Sequence, residues 1–193
     1  MVLAVWLTTA GNFPLWLKVW QLPETQGFKA LTTVGSLMLI LLSMVSWLLL
    51  FLVWPKWLKP AGIVFMAVVT SSSYFMLTYN VVIDASMIAN VVHTDAREVR
   101  DLLSPSLLWT LSWGLLLPAL WLLRQPVVHL PWARQLKHNL LAAGAALVLA
   151  AGLLVLGFQD LAPLMRNHKS LRYMVNPFNA AWSTSRALAG PAT

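Results

Sequence analysis

The chain has 193 residues, of which 59% are apolar and only 10% are charged. A soluble domain carries roughly 25% charged residues, so this composition excludes an ordinary water-soluble globule, and its hydrophobicity excludes intrinsic disorder. The chain has no Cys, which excludes disulfides, thiolate metal sites and Cys nucleophiles. An integral membrane protein remains, and the 11 Trp favour it because Trp prefers the membrane–water interface.

Five segments are apolar enough to be predicted as membrane spans, each of which needs about 20 mostly apolar residues. They are Met1–Leu17, Phe28–Val53, Ala61–Tyr79, Ser104–Leu123 and Asn139–Phe158. The first has neither the basic start nor the cleavage site of a secretory signal, so we interpret it as a span whose beginning is truncated. Residues 1–158 are therefore predicted to form an all-α, five-helix transmembrane bundle of a polytopic membrane protein.

The charges divide the loops into two groups. The short loops Trp54–Pro60 and Arg124–His138 hold five Lys/Arg and no acid, whereas all six acids lie in segments on the other side. Long segments translocate largely regardless of charge, so the density of positive charge predicts that the short loops are cytoplasmic and that the C-terminus is outside. In so apolar a chain the +7 net charge indicates membrane lipids as partners, and no nucleic acid.

The spans carry little that could act chemically. Thr70–Ser73 is the deep polar patch, and we interpret it as helix packing rather than a substrate site, because hydroxyls can bond helix carbonyls. In the last span Ala142, Ala146 and Ala150 predict close packing within the bundle. The four His show no metal-ligand spacing and no catalytic motif occurs, so we expect no metal site and no catalytic residue in this chain.

The most informative segment, Asp84–Leu103, lies between the third and fourth spans. Its apolar residues cluster on one helical face that Asp95 would interrupt, so we predict two short amphipathic helices on the outer membrane surface. Asp84 would cap the first helix, and Asp95 with Glu98 the second. Polar residues at four-residue steps form a candidate ligand site: Asn90, Thr94 and Glu98. The spacing alone leaves open that Thr94 and Glu98 are only capping groups.

Residues 159–193 are predicted to form a tail that turns into the start of a linker. The tail begins with the basic cluster Arg166, Lys169 and Arg172, which either contacts anionic lipid phosphates or is the solvated start of the linker. Its end is rich in Ala, Ser, Gly and Pro, a composition typical of linkers.

Two stretches carry a resemblance to a known family. One comprises Tyr74–Phe75 through Tyr79, Val82–Asp84, Ser86–Met87, Asn90 and Thr94–Asp95, and the other is RNHKSLRYMVNPFNA at Arg166–Ala180. On these residues, and on the span count, the chain resembles the N-terminal membrane domain of the lipid A phosphoethanolamine transferases, which include the mobile colistin-resistance enzymes. It departs from the family pattern at Asn80, where the family typically has Gly.

The resemblance implies a multi-pass enzyme of the bacterial inner membrane whose C-terminus lies in the periplasm. In the family, a larger periplasmic catalytic domain holds zinc and a Thr nucleophile, and it moves phosphoethanolamine from phosphatidylethanolamine to lipid A, which confers polymyxin resistance. We expect this catalytic domain to be absent from the chain, which would therefore be inactive alone. Asn90, Thr94 and Glu98 match the family residues that help to hold the donor lipid.

A second class of function is a non-enzymatic membrane scaffold or a small transporter that shares the fold. A proton-coupled transporter usually carries an acid or a base deep within a span. None of the five predicted spans has one, which disfavours transport.

Overall fold

The computed structural model describes residues 1–25, 27–52, 56–84, 86–88, 90, 104–127 and 130–189. Over these residues the chain is helical and has no strand, which confirms the all-α prediction. Five helical segments are long and apolar enough to cross a membrane, and they follow the order of the predicted spans: Val2–Trp20, Ala30–Phe51, Leu58–Tyr79, Pro105–Arg124 and Trp132–Leu156. The fifth begins within the predicted loop Arg124–His138, so part of that loop is helical.

The helices are named α1 (Val2–Thr8), α2 (Phe13–Trp20), α3 (Phe28–Leu52), α4 (Leu58–Tyr79), α5 (Pro105–Arg124), α6 (Trp132–Leu156), α7 (Phe158–Asn167) and α8 (Phe178–Ala189). Helices α1 and α2 together make the first span, and the 3₁₀ turn Ala10–Asn12 separates them. Pro14 lies in the first turn of α2, where its missing N–H costs no helix bond. Helix α5 contains a π-helical turn at Ser112–Leu116.

Helix α4 approaches the backbones of two neighbours at glycines. Thr70 Oγ1 donates to the carbonyl of Gly114 in α5 at 2.9 Å, and Ser73 Oγ donates to the carbonyl of Gly11 at 2.6 Å. A methyl group on Gly11 would lie 2.5 Å from Val69 Cγ1, and one on Gly114 would lie 2.6 Å from Thr70 Cγ2. These contacts confirm that the Thr70–Ser73 patch packs helices together.

Helix α6 packs against α3 along one face. Asn139 Nδ2 donates to the carbonyl of Leu50 in α3 at 3.1 Å, and Ala143 and Ala150 are buried. Of the predicted small-residue stripe, Ala150 is buried, Ala146 is half-buried and Ala142 is exposed. The buried residues Ala143 and Ala150 are seven positions apart, which is about two helical turns, so they lie on the same side of α6. The other face is apolar and exposed, as suits contact with lipid.

The residues after the fifth span are mostly helical as far as the description reaches, and not an extended linker. Helix α7 is followed by the 3₁₀ segment Lys169–Met174 and by α8. Leu161, Leu164 and Leu171 from this region belong to the main hydrophobic core, together with residues of α1, α2 and α3. Burial of these three side chains holds the region against the bundle.

A reciprocal pair of hydrogen bonds joins the first span to this later region. Asn12 Nδ2 donates to the carbonyl of Asn176 at 2.8 Å, and the backbone N–H of Asn176 donates to Asn12 Oδ1 at 2.9 Å. Asn12 Nδ2 also donates to the carbonyl of Leu7 at 2.7 Å. Because both asparagines are 1% exposed, the pair is a buried polar contact between distant parts of the chain.

The two ends of the bundle group the loops as the charges predict. At one end, His168 Nε2 lies 3.1 Å from Glu24 Oε1, which joins the region after the fifth span to the loop after the first. At the other end, Lys59 Nζ donates to the carbonyl of Leu123 at 2.7 Å, which joins the first basic loop to the residue just before the second.

We expect Gly11→Ala to lower the melting temperature of the chain in detergent, with a loss of about 1–3 kcal/mol from overpacking. Val69 is fully buried and β-branched, so it has little freedom to move aside. Gly152→Ala is the matched control, because no atom lies within 4 Å of its methyl position, and Ala should favour the helix by about 1 kcal/mol. Equal melting temperatures for wild type and Gly11→Ala would contradict the close approach.

Candidate functional site

The candidate site begins where α4 ends. Helix α4 stops at Tyr79, and Asn80 adopts a left-handed conformation with φ 52°. Asn tolerates this region better than most residues, and Gly does so best. The Asn at this position therefore replaces the Gly of the resembled family without loss of the turn. Residues 81–84 then continue without regular secondary structure.

Asp84 caps the short helical stretch that follows, as the sequence predicts. Its Oδ1 accepts hydrogen bonds from Ser86 Oγ at 2.7 Å and from the Met87 N–H at 2.8 Å. The Ile88 N–H donates to the Asp84 carbonyl at 3.1 Å. The Ser86 hydroxyl, followed by the Met87 N–H, lowers the pKa of the Asp84 carboxyl because both stabilise its charged form.

Of the three predicted ligand-binding residues, Asn90 is the one that the structure describes. It is helical and exposed, close after the stretch capped by Asp84. Thr94 and Glu98 lie in 91–103, outside the described residues, as does the predicted second cap at Asp95. The four-residue alignment of the three side chains therefore stays a prediction.

Two side chains of α8 bind the backbone just before Asp84. Asn179 Nδ2 donates to the carbonyl of Ile83 at 2.6 Å, and Ser183 Oγ donates to the same carbonyl at 3.0 Å. Sequence reasoning gave neither residue a role: Asn179 lies in the stretch that carries the family resemblance, and Ser183 lies in the end of the tail interpreted as the start of a linker. The available signal was their four-residue spacing, which places them on one face of a helix.

A cluster of three hydroxyl groups joins α4 to the start of α5. Tyr74 Oη lies 2.7 Å from Ser104 Oγ and 2.9 Å from Ser106 Oγ. Ser104 also caps α5, since its Oγ accepts from the Leu107 N–H at 3.2 Å. The helices on either side of segment 80–104 are thereby held together beside the site.

The predicted basic cluster lies at the same end of the molecule as the candidate site. Arg166, Lys169 and Arg172 are all exposed. Arg172 donates from Nε and Nη2 to the carbonyl of Met165, at 3.1 and 2.9 Å. This contact fixes the guanidinium against the end of α7, while the surface charge remains accessible to anionic groups.

The zinc that the resemblance implies belongs to the catalytic domain and not to this chain. Within the described residues, no three His, Asp or Glu side chains come together in a group that could hold a metal ion.

Comparison with known proteins gives a consistent family match. A family model described as phosphoethanolamine transferase EptA/EptB matches residues 41–191. The phosphoethanolamine transferase EptA of Escherichia coli K12 is 34% identical over 138 residues, covering 66% of this chain and 24% of the relative. The phosphatidylethanolamine transferase Mcr-1 of Escherichia coli is 30% identical over 192 residues, covering 95% of this chain and 34% of the relative.

A solved structure shares the fold. The integral membrane protein lipooligosaccharide phosphoethanolamine transferase A (EptA) from Neisseria meningitidis superposes with a TM-score of 0.88 at 23% identity. The match covers 95% of this chain and 34% of that structure. The chain thus spans about a quarter to a third of the length of the proteins it matches.

We expect Asp84→Ala to raise the hydrogen-exchange rate of the Met87 amide by up to about tenfold, since loss of a helix cap costs about 1 kcal/mol. Asp84→Asn, which keeps an acceptor oxygen, should change it less. The folded pKa of Asp84 is lowered, so the cap stabilises the folded chain above about pH 4 and is lost as the pH falls through that lowered pKa. Unchanged protection of Met87 in Asp84→Ala would contradict the cap.

Proposed function

The chain belongs to the phosphoethanolamine transferase EptA/EptB family, and from this premise we propose that it serves as the membrane domain of an enzyme that moves phosphoethanolamine from phosphatidylethanolamine to lipid A. The observation that carries the proposal is the family match, which includes the Asp84–Asn90 segment. Because the chain spans about a quarter to a third of its relatives, the transfer reaction is proposed for the whole enzyme. The part proposed for this chain is anchoring and binding of the donor lipid.

The proposed donor site uses the amide of Asn90, the hydroxyl of Thr94 and the carboxylate of Glu98. The amide and the hydroxyl can donate hydrogen bonds to phosphate oxygens, and the carboxylate can pair with the ethanolamine ammonium. The exposed position of Asn90 close to a capped helical turn supports this assignment, because a lipid head group must reach its ligands from outside the bundle.

The proposed location is the bacterial inner membrane, with residues 80–104 and the C-terminus in the periplasm. Five spans and the separation of acidic from basic loops support this topology. Attachment of phosphoethanolamine to lipid A adds an ammonium group beside its phosphates. The lower negative charge of the outer surface weakens binding of polymyxins and other cationic peptides.

The zinc and the Thr nucleophile of the resembled family are proposed to belong to a catalytic domain outside the matched region. The role proposed for this chain is to anchor the enzyme and to bind the donor lipid. Its residues bind and orient the lipid from which phosphoethanolamine is taken.

A chimaera tests the proposal. This chain replaces the corresponding membrane domain of Mcr-1, with which it aligns over 192 residues, and lipid A is analysed by mass spectrometry. We expect phosphoethanolamine-modified lipid A from the chimaera. Glu98→Ala should reduce the modified fraction about tenfold or more, because a hydrogen bond to a charged group contributes about 1.5–3 kcal/mol. Membrane insertion, followed by immunoblot of the membrane fraction, should be unchanged.

Asp160→Ala is the matched control, because Asp160 is an exposed acid outside the proposed donor site, in the region after the fifth span. It should leave the modified fraction at the level of the unmutated chimaera. Undiminished phosphoethanolamine on lipid A in Glu98→Ala would refute the role of Glu98. A chimaera that is correctly inserted and leaves lipid A unmodified would count against the proposed function.

A further inference from the structure

We propose that Asn179 and Ser183 are positioning residues that hold the backbone at Ile83 and thereby set the position of the capped turn before Asn90, a residue of the proposed donor-lipid site. The inference rests on the proposed function, since it concerns the same site. Its basis is the pair of hydrogen bonds that both side chains donate to the carbonyl of Ile83.

The carbonyl of Ile83 lies outside any helix, so it has no hydrogen-bond donor from a helix of its own segment. Helix α4 has ended at the left-handed residue Asn80, and residues 81–84 lack regular secondary structure. A buried carbonyl without a partner is costly, so such a segment needs donors from elsewhere in the fold. Ile83 is 5% exposed, and α8 supplies two donors to its carbonyl.

The two donor residues are buried, unlike the other polar residues of α8. Asn179 is 6% exposed and Ser183 is 2% exposed, whereas Thr184, Ser185 and Arg186 are exposed. The amide of Asn179 also donates to the carbonyl of Tyr173 at 2.6 Å. It thus links the 3₁₀ segment before α8 to the segment before the site.

A short series of local hydrogen bonds connects Ile83 to the helical turn before Asn90. Asp84 follows Ile83 directly, its N–H donates to the carbonyl of Val82, and its carboxylate caps the turn at Ser86 and Met87. Once the carbonyl of Ile83 is held, the cap fixes the direction of the helical turn that precedes Asn90. A shift of α8 would therefore change the position of the capped turn that precedes Asn90.

The test uses the full chain with the variants Ser183→Ala and Asn179→Asp. The first removes one donor from a small side chain, and the second keeps the size of the side chain while removing its N–H donors. Thr184→Ala is the control on the same helix, because Thr184 Oγ1 donates to the Ala180 carbonyl within α8 itself, at 2.7 Å. Melting temperatures confirm that all variants are folded.

Two measurements are made on each variant. Hydrogen exchange reports the amides of Asp84, Met87 and Ile88. Native mass spectrometry from detergent compares retention of phosphatidylethanolamine with that of phosphatidylglycerol. We expect Ser183→Ala and Asn179→Asp to speed exchange about fivefold to tenfold and to reduce phosphatidylethanolamine retention by a similar factor, with Thr184→Ala unchanged.

Wild-type exchange rates in both variants would overturn the inference, and so would faster exchange with undiminished retention of phosphatidylethanolamine. A wild-type chain that retains both lipids equally would overturn the proposed function, and with it this role in lipid binding. The two failures are distinguishable, because the exchange measurement does not depend on any lipid.

Discussion

Close backbone contact around α4 is the constraint on which the rest of the structure depends. Inside a bilayer, apolar burial does little to bring helices together, so packing and interhelical hydrogen bonds decide the arrangement. Thr70 and Ser73 supply these bonds at the glycine carbonyls of Gly114 and Gly11. Because α4 is held on both sides, its C-terminal end has a fixed position. The left-handed Asn80 then directs the chain from this position toward the candidate site.

The features that the sequence predicts are those with local causes. Hydropathy over about 20 residues is sufficient to find a span, and the spacing from Asp84 to Met87 is sufficient to predict a cap. The contacts of Asn179 and Ser183 have no local cause, because the carbonyl that they bind lies 96 and 100 residues away. The short residues around them give α8 the composition of a linker, and its packing becomes evident only in three dimensions.

The candidate site shows the same division. A four-residue spacing of Asn90, Thr94 and Glu98 is compatible with helix capping and with ligand binding, so spacing alone does not choose between them. The family resemblance favours ligand binding, and the structure adds how the residues just before Asn90 are held: by the Asp84 cap and by donors from α8. The chemistry of such a site therefore depends on residues close in sequence, and its position depends on residues far away.

The pairing of Asn12 with Asn176 sets an order of assembly during biosynthesis. One partner of the Asn12 side chain, the Leu7 carbonyl, is made before Asn12, and the other two, the carbonyl and the N–H of Asn176, are made 164 residues after it. A buried amide without partners costs several kcal/mol in an apolar medium. Asn12 therefore gains its full set of hydrogen bonds only after the segment that carries Asn176 has been synthesised.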